Sequence, residues 1–169
     1  MSGITRGTSP FATRPRLPKD YGILSEDAGS GLLPWSRASE SLATSRNYWI
    51  HTTCPNGCPR VKPVWSVWFE ERFYFSTNPK SIAGRNLLRN NSLAVHLESG
   101  DDVVILEGEA EQIYNQEFLS RLDEVYFAKY AFHLPQDDSG VVFGLEPKSA
   151  FAWLERDFAG GATKYLFEI

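Results

Sequence analysis

Few cysteines, no long apolar run and no surplus of positive charge characterise this chain of 169 residues. Its two cysteines are fewer than the disulfide framework of a small secreted protein requires. No apolar stretch approaches the roughly 20 residues that span a bilayer, and residues 1–16 contain no apolar signal core. The formal charge of −4 argues against nonspecific nucleic-acid binding, which depends on excess Lys and Arg. We therefore expect a cytoplasmic protein with neither a membrane nor a nucleic-acid partner.

The chain does contain enough apolar residues to bury a core within a single domain. Hydrophobic residues make up 42% of the sequence and aromatic residues 14%. Residues 1–34 are rich in Gly, Pro, Ser and Thr and show little periodicity. This composition predicts an N-terminal arm that is partly disordered or wraps a partner subunit. Residues 35–169 are predicted to form the folded domain.

Short segments rich in aromatic and β-branched residues dominate that domain, which is typical of strands. The predicted strands cover residues 48–53, 60–69, 73–77, 93–97, 103–113, 149–155 and 163–169. Helices are predicted within residues 33–47, with Ser36 as the cap, and at 78–90 and 116–132. Consecutive strands with helices only as interruptions predict a mainly β fold, a mostly antiparallel β-barrel with a few flanking helices. No Gly-x-Gly-x-x-Gly follows a strand, which disfavours a doubly wound nucleotide-binding fold.

The segment Cys-Pro-Asn-Gly-Cys at residues 54–58 predicts a hairpin with a three-residue loop and a left-handed Gly57. Such a loop places Cys54 and Cys58 opposite each other, within reach of a bond. A reducing cytoplasm favours free thiols. A metal site would need more ligands than these thiols and His51, so no metal is expected.

The stretch Asn-Pro-Lys-Ser-Ile-Ala-Gly-Arg-Asn-Leu-Leu at residues 78–88 has two interpretations. Asn78 suits a helix cap and Pro79 the first helical position. The unpaired N–H groups of a helix start bind anions, and hydroxyls and a cation are close by in Ser76, Thr77, Lys80 and Ser81. The alternative is a capped surface helix with a solvated lysine. Arg60 and Lys62 favour the anion site if the barrel brings their strand alongside.

Several motifs together resemble the pyridoxamine 5'-phosphate oxidase-like flavin-binding split-barrel family. They are the Pro-Asn-Gly hairpin followed by Arg-Val-Lys-Pro-Val-Trp, then Phe-Ser-Thr-Asn-Pro-Lys-Ser, Arg-Asn-Leu-Leu-Arg-Asn and Val-Val-Ile-Leu-Glu-Gly-Glu-Ala-Glu. The resemblance covers residues 35–167 and is nearest to actinobacterial members that use a flavin or a deazaflavin. It implies a homodimer of split barrels with the cofactor in a cleft between the two chains.

The resemblance implies site residues at the positions of this sequence that match the family motifs. The ring and ribityl chain of the cofactor would lie along Arg60, Lys62, Val64 and Trp65. The resemblance places the cofactor tail and phosphate near Ser76, Thr77, Lys80, Ser81, Ile82, Ala83 and Arg85. The C-terminal segment would reach the cleft through Trp153 and Lys164. No catalytic acid or base is assigned; His133 begins a loop that could reach the cleft.

Two departures from the family pattern predict weaker binding of the anionic tail. The chain reads Ser81-Ile82-Ala83 where the family commonly reads Ser-Arg-Lys. Residues 163–167 read Thr-Lys-Tyr-Leu-Phe where close relatives often read Thr-Arg-Trp-Arg-Phe, and lysine lacks the bidentate geometry of arginine. Each lost charge-assisted hydrogen bond is worth about 1.5–3 kcal/mol, so affinity falls by about one to two powers of ten.

The resemblance implies an FMN-binding oxidoreductase that transfers hydride to or from a small organic substrate. The deazaflavin coenzyme F-420 is the alternative cofactor, and FMN is favoured because the family at large binds it. Two other functions remain open: a non-catalytic flavin- or deazaflavin-binding or sequestering protein, and a haem-binding split barrel.

Overall fold

The computed structural model describes residues 9–135, 137 and 139–168. Its strands are β1 Phe11–Thr13, β2 Asn47–Thr53, β3 Pro59–Phe69, β4 Arg72–Thr77, β5 Ser92–Leu97, β6 Asp102–Gln112, β7 Val141–Leu154 and β8 Thr163–Leu166. Its helices are α1 Trp35–Thr44, α2 Ile82–Leu87, α3 Gln116–Tyr130 and α4 Phe158–Gly161, with 3-10 turns at Lys19–Tyr21 and Glu155–Asp157.

Six antiparallel strands close into a barrel in the order β7-β4-β3-β2-β5-β6, and β6 pairs back with β7. The first part of β7 pairs with β4 through Val141 to Leu145. Its second part pairs on the same side with β8, and β8 in turn pairs with β1. This sharing of β7 splits the barrel wall, so the predicted mainly β, antiparallel split barrel with a few flanking helices is confirmed.

The barrel interior holds one core, and α3 covers a second core outside the wall. Alternate residues point to opposite faces of a strand, so Phe73 and Phe75 of β4 enter the barrel core whereas Tyr74 packs under α3 with Leu122. Full burial of such a side chain stabilises the fold by about 1.5–3 kcal/mol. This alternation decides which face of β3 and β4 each candidate site residue occupies.

Residues 9–34 pack on the barrel of their own chain. The Arg14 guanidinium donates to the carbonyl oxygens of Ala162 (3.0 Å), Gly160 (2.8 Å) and Ala28 (3.2 Å), which ties the segment to the end of α4. Residues 1–8 of the predicted arm lie outside the described residues. The division at residue 34 and the wrapping of a partner remain predictions.

Two predicted helix starts are wrong. Pro34, not Ser36, precedes α1, which begins at Trp35 without a side-chain cap. The helix predicted to start at Asn78 begins at Ile82 instead, because Ser81 provides the cap. No helix in the described part of the chain is long and apolar enough to cross a membrane.

Candidate cofactor site

A chain of hydrogen bonds joins the candidate site residues on β3, β4 and the start of α2. The Lys62 Nζ donates to Thr77 Oγ1 at 3.2 Å, and Thr77 Oγ1 lies 3.0 Å from Ser81 Oγ. Ser81 Oγ also accepts from the backbone N–H of Gly84 at 3.0 Å. We call these three side chains the Lys62–Thr77–Ser81 chain. The anion-site interpretation therefore has its cation and two of its hydroxyls in one place.

The Lys62–Thr77–Ser81 chain leaves donors for a ligand. An ammonium group has three N–H donors and a hydroxyl has one. Only one of the two hydroxyl hydrogens is used between Thr77 and Ser81, and among the described residues Lys62 has a single acceptor. Burial lowers the pKa of the Lys62 ammonium, because a partly desolvated charge lacks full hydration. An anion placed there would supply the missing charge partner and accept these donors.

A tight turn over residues 78–81 presents Ser81 to Thr77. The Asn78 side-chain Oδ1 accepts from the Lys80 N–H at 2.8 Å, and the Asn78 carbonyl accepts from the Ser81 N–H at 2.9 Å. Gly84 packs so closely on this turn that a Cβ there would meet the Asn78 carbonyl oxygen at 2.4 Å. Glycine at position 84 is therefore required to bring its N–H to Ser81.

Two further cations lie over the same turn. Lys80 and Arg85 are both exposed, and Arg85 Nη1 donates to the Lys80 carbonyl oxygen at 2.5 Å. The guanidinium thus folds back across the turn instead of extending into solvent. Together with Lys62 these residues give a local positive charge on a chain of net charge −4, which favours an anionic ligand at this point.

Ile82 and Ala83 differ sharply in their surroundings. The Ile82 side chain is 45% exposed and Ala83 is 6% exposed, with Ala83 packed in the barrel core. A basic side chain at position 82 would reach solvent beside Ser81. One at position 83 would enter the core, so in this chain alanine at 83 fills a packing position.

The remaining residues of β3 and β4 divide by face. Arg60 is exposed on the same side of β3 as Lys62, and Val64 packs against the barrel core on that side. Trp65 points the other way and stacks on Tyr130 at a centroid distance of 4.9 Å. Ser76 likewise lies on the opposite face of β4 from Thr77. The structure therefore does not bring Trp65 or Ser76 to the Lys62–Thr77–Ser81 chain.

Trp153 and Lys164 lie far from that chain within one molecule. Thr77 is paired with Val141, the first residue of β7, and Trp153 is near the other end of the same strand. The separation is about 40 Å of strand at roughly 3.3 Å per residue. Trp153 packs edge-on against Phe158 at 5.6 Å. Trp153 and Lys164 are therefore separated from the Lys62–Thr77–Ser81 chain by most of the length of β7.

Sequence reasoning missed a buried polar link behind the site. Asn86, only 4% exposed, donates from Nδ2 to Thr52 Oγ1 at 3.0 Å and to Cys54 Sγ at 3.6 Å. It connects α2 to β2 and to the hairpin at residues 54–58. The available signal was its helical spacing of three residues from Ala83, which puts a polar side chain on the core face.

The histidines stand apart from the Lys62–Thr77–Ser81 chain. His133 Nδ1 lies 2.8 Å from Asp123 Oδ2 and its ring stacks on Phe127, which fixes it beside α3. His51 and His96 lie side by side with ring centroids 4.9 Å apart. No group of three or more potential metal ligands occurs among the residues that the structure describes.

The strand order and the shared strand β7 define the fold as a split barrel. Cations and hydroxyls gather where β3 and β4 meet α2. A family model described as pyridoxamine 5'-phosphate oxidase matches residues 36–154. The chain belongs to this family, and the resemblance found in its motifs is confirmed. No curated protein matches it.

Solved structures agree on the fold. The conserved hypothetical protein Rv2991 from Mycobacterium tuberculosis is 21% identical, with a TM-score of 0.65 over 75% of this chain and 88% of that one. A heme binding protein from Mycobacterium smegmatis is 14% identical, with a TM-score of 0.58 over 73% of this chain and 59% of that one. A NimC/NimA family protein from Clostridium acetobutylicum is 15% identical, with a TM-score of 0.62 over 77% and 91%.

Proposed function

We propose that this protein is a cytoplasmic oxidoreductase that binds FMN, or alternatively the deazaflavin coenzyme F-420, through the Lys62–Thr77–Ser81 chain. The observation that carries the proposal is that these three side chains have hydrogen-bond donors that no described residue uses, and that the Lys62 ammonium among them is partly desolvated. A phosphate group needs both negative-charge compensation and several hydrogen-bond donors. Lys80 and Arg85 on the same turn add charge from the solvent side.

The cofactor cleft is proposed to lie between two copies of the chain. Trp153 and Lys164 lie toward the opposite end of β7 from Val141, the residue that pairs with Thr77. They occupy the outer face of the sheet, on which Lys164 Nζ lies 5.4 Å from the centre of the Phe151 ring. A second copy can bring its own Trp153 and Lys164 to the first copy's Lys62–Thr77–Ser81 chain.

In this proposal the flavin supplies the hydride-transfer chemistry, and the protein binds and orients it. Lys62 and the two hydroxyls hold the anionic tail. Residues Pro59 to Trp65 of β3 pair with β2 on one side, and no described strand pairs with their other side. The backbone N–H and C=O groups of that free edge are available to the flavin ring. A small organic molecule is the proposed substrate, and no side chain is assigned as an acid or base.

The direct experiment is to purify the protein from a host that makes both cofactors and to record the absorption spectrum and mass of any bound molecule. Titrations with FMN and with F-420, followed by cofactor fluorescence, complete the test. We expect saturable binding of one of them. An unchanged fluorescence in both titrations would contradict the proposal. Turnover with quinones, enones or biliverdin-like acceptors separates an oxidoreductase from a flavin-binding or sequestering protein without catalysis.

Haem binding is a second candidate, and the outer face of β2 and β5 favours it. His51 Nε2 is buried without a hydrogen-bond partner among the described residues. Burial, and then the neighbouring His96, lowers the pKa of His51, which keeps its imidazole neutral and able to ligate iron. The similar Mycobacterium smegmatis structure is described as a heme binding protein. A Soret band that appears on haem addition and is lost in His51→Ala would support this function.

A further inference from the structure

The hairpin between β2 and β3 places two thiols opposite each other. Pairing of Thr53 with Pro59 ends the β2–β3 ladder, and the next step in the same register pairs Cys54 with Cys58. The Cys54 N–H donates to the Cys58 carbonyl oxygen at 2.9 Å, which closes the hairpin. Directly opposed residues of antiparallel strands have Cα atoms about 4.5–5.5 Å apart. Disulfides span about 4.4–6.8 Å between Cα atoms.

The two thiols differ in exposure and neither forms a disulfide. Both cysteines are free; Cys58 is exposed and Cys54 is partly buried. The loop between them includes Gly57 in the left-handed region at φ 83°, and the Cys58 N–H donates to the Asn56 side chain. An exposed thiol with a second thiol opposite it has the arrangement of a reactive cysteine and its resolving partner.

Cys54 also connects this hairpin to α2. Its Sγ accepts from Asn86 Nδ2 at 3.6 Å, and the same amide donates to Thr52 Oγ1. Asn86 is buried. If its side-chain N–H lost the Cys54 sulfur as an acceptor, no water would be there to accept the hydrogen bond instead. Because the two sulfurs are not bonded here, at least one must move to form a disulfide. Movement of Cys54 Sγ takes it from Asn86.

We propose that Cys54 and Cys58 form a reversible intramolecular disulfide when a hydroperoxide oxidises them, and that the bond loosens α2 through Asn86. The exposed Cys58 thiolate attacks the peroxide oxygen, which breaks the O–O bond, releases an alcohol or water and leaves a sulfenic acid. The Cys54 thiolate then attacks that sulfur and hydroxide leaves, taking up a proton as water. Two thiols are thereby oxidised by two electrons and one peroxide is reduced; a dithiol reverses the bond by exchange.

Hydrogen peroxide is the probe, and the readouts need no cofactor. Intact mass spectrometry of the purified protein is expected to show a loss of about 2 Da, reversed by dithiothreitol. Cys54→Ser and Cys58→Ser are the matched controls and should not show this loss. If the mass is unchanged although a maleimide labels both thiols, or if the product is mainly a disulfide between two chains, the disulfide proposal is wrong.

Amide hydrogen exchange over residues 82–88 tests the link to α2. Oxidation is expected to accelerate exchange there by about two- to tenfold, the change that loss of one hydrogen bond gives. Cys54→Ala should accelerate it without any oxidant, and oxidised Cys58→Ser should not. An oxidised protein with the 2 Da loss but unchanged exchange in α2 would overturn the link. Failure of flavin to bind would affect neither result.

Discussion

Two partly buried lysines illustrate the difference between a structural cation and a ligand-binding one. Lys129 of α3 donates to the Tyr48 hydroxyl at 2.6 Å and to the Ser66 carbonyl at 3.1 Å, and its Nζ lies 4.7 Å from the centre of the Tyr48 ring. Within the described part of the chain, Lys62 of β3 donates only to Thr77. Burial lowers the pKa of both, that of Lys129 to about 8.

The difference shows why low solvent exposure and a shifted pKa do not by themselves indicate a binding site. Lys129 joins α3 to β2 and β3, and two of its three N–H donors are bound within the protein while its charge lies over the Tyr48 ring. Lys62 has the same kind of desolvated charge but unused donors, next to hydroxyls that also have a hydrogen to spare. The unsatisfied cation is the one that we assign to the ligand.

The largest expected effect comes from a new lysine at a position where its ammonium has neither a partner within the protein nor a ligand. Ala83→Lys would bury an ammonium in the barrel core and is expected to reduce the free energy of unfolding by about 3–5 kcal/mol. Ile82→Lys is the matched control, because the same charge one residue away is exposed. Urea denaturation compares them. Equal stability of the two variants would contradict the core position of residue 83.

Removal of the two lysines separates their roles. Lys62→Met is expected to weaken FMN binding by about ten- to a hundredfold, since one charge-assisted hydrogen bond is lost. Lys129→Met should leave the affinity unchanged, because the ammonium of that lysine binds Tyr48 and Ser66 and not the Lys62–Thr77–Ser81 chain. Fluorescence titration measures both. A larger loss of affinity in Lys129→Met than in Lys62→Met would reverse our assignment.

The pH dependence of stability should report mainly on Lys129. Its pKa is about 8 in the folded chain against 10.5 ordinarily, so between these values the unfolded state binds more protons and the free energy of unfolding rises with pH. We expect a rise of about 0.5–1 kcal/mol from pH 8 to pH 9, reduced from the full linkage value by solvent screening. Below pH 8 Lys129 is protonated in both the folded and the unfolded state, so the full cost of burying its charge is present.

Lys129→Met should lose most of this rise, whereas Lys62→Met should retain most of it. Measurement above pH 9 is confounded by tyrosines, which begin to ionise in the unfolded state there and act in the opposite direction. Burial raises the pKa of each of these to about 12: Tyr74, Tyr126 and Tyr165. Denaturation at constant ionic strength between pH 8 and pH 9 therefore gives the test. A flat wild-type profile would contradict it.

The smallest expected effect is a gain. Ile82→Arg places a guanidinium in solvent beside Ser81 and is expected to tighten FMN binding by about five- to tenfold, at the lower end of a charge-assisted hydrogen bond. Leu88→Arg, exposed one helix face away, is the control for a general increase in positive charge. Equal gains in FMN affinity in both variants would show that the tighter binding comes from long-range electrostatic attraction and not from a contact beside Ser81.

Much of the fold could be predicted because its strands have strong local signals. Aromatic and β-branched runs identified β2 to β6, and the Pro-Asn-Gly loop identified the first hairpin. The first half of β7 was missed because residues 140–147 contain two glycines and a proline, which are unfavourable in strands and are tolerated here by pairing on both sides. The pairing of β1 with β8 depends on tertiary contact that a short local pattern does not contain.

The candidate site could be predicted only in part. Ser81 and Lys62 were identifiable by type and motif, but their connection depends on Thr77 pointing to the same face as Lys62. Ser76, one residue away, points to the other face, and strand parity cannot be fixed before the pairing is known. The Lys129 contacts with Tyr48 and Ser66 join segments far apart in sequence, so no motif could indicate them.

A mixed dimer tests the central claim most directly. One chain carries Lys62→Met, and the other carries Trp153→Ala with Lys164→Ala; differently tagged copies allow the heterodimer to be purified. If each cleft combines Lys62 of one copy with Trp153 and Lys164 of the other, one cleft of the heterodimer holds all the substitutions and the other holds none. We predict one FMN site of wild-type affinity per heterodimer, with weak binding by either parent. A heterodimer that binds no more tightly than its parents would contradict a site built from two chains.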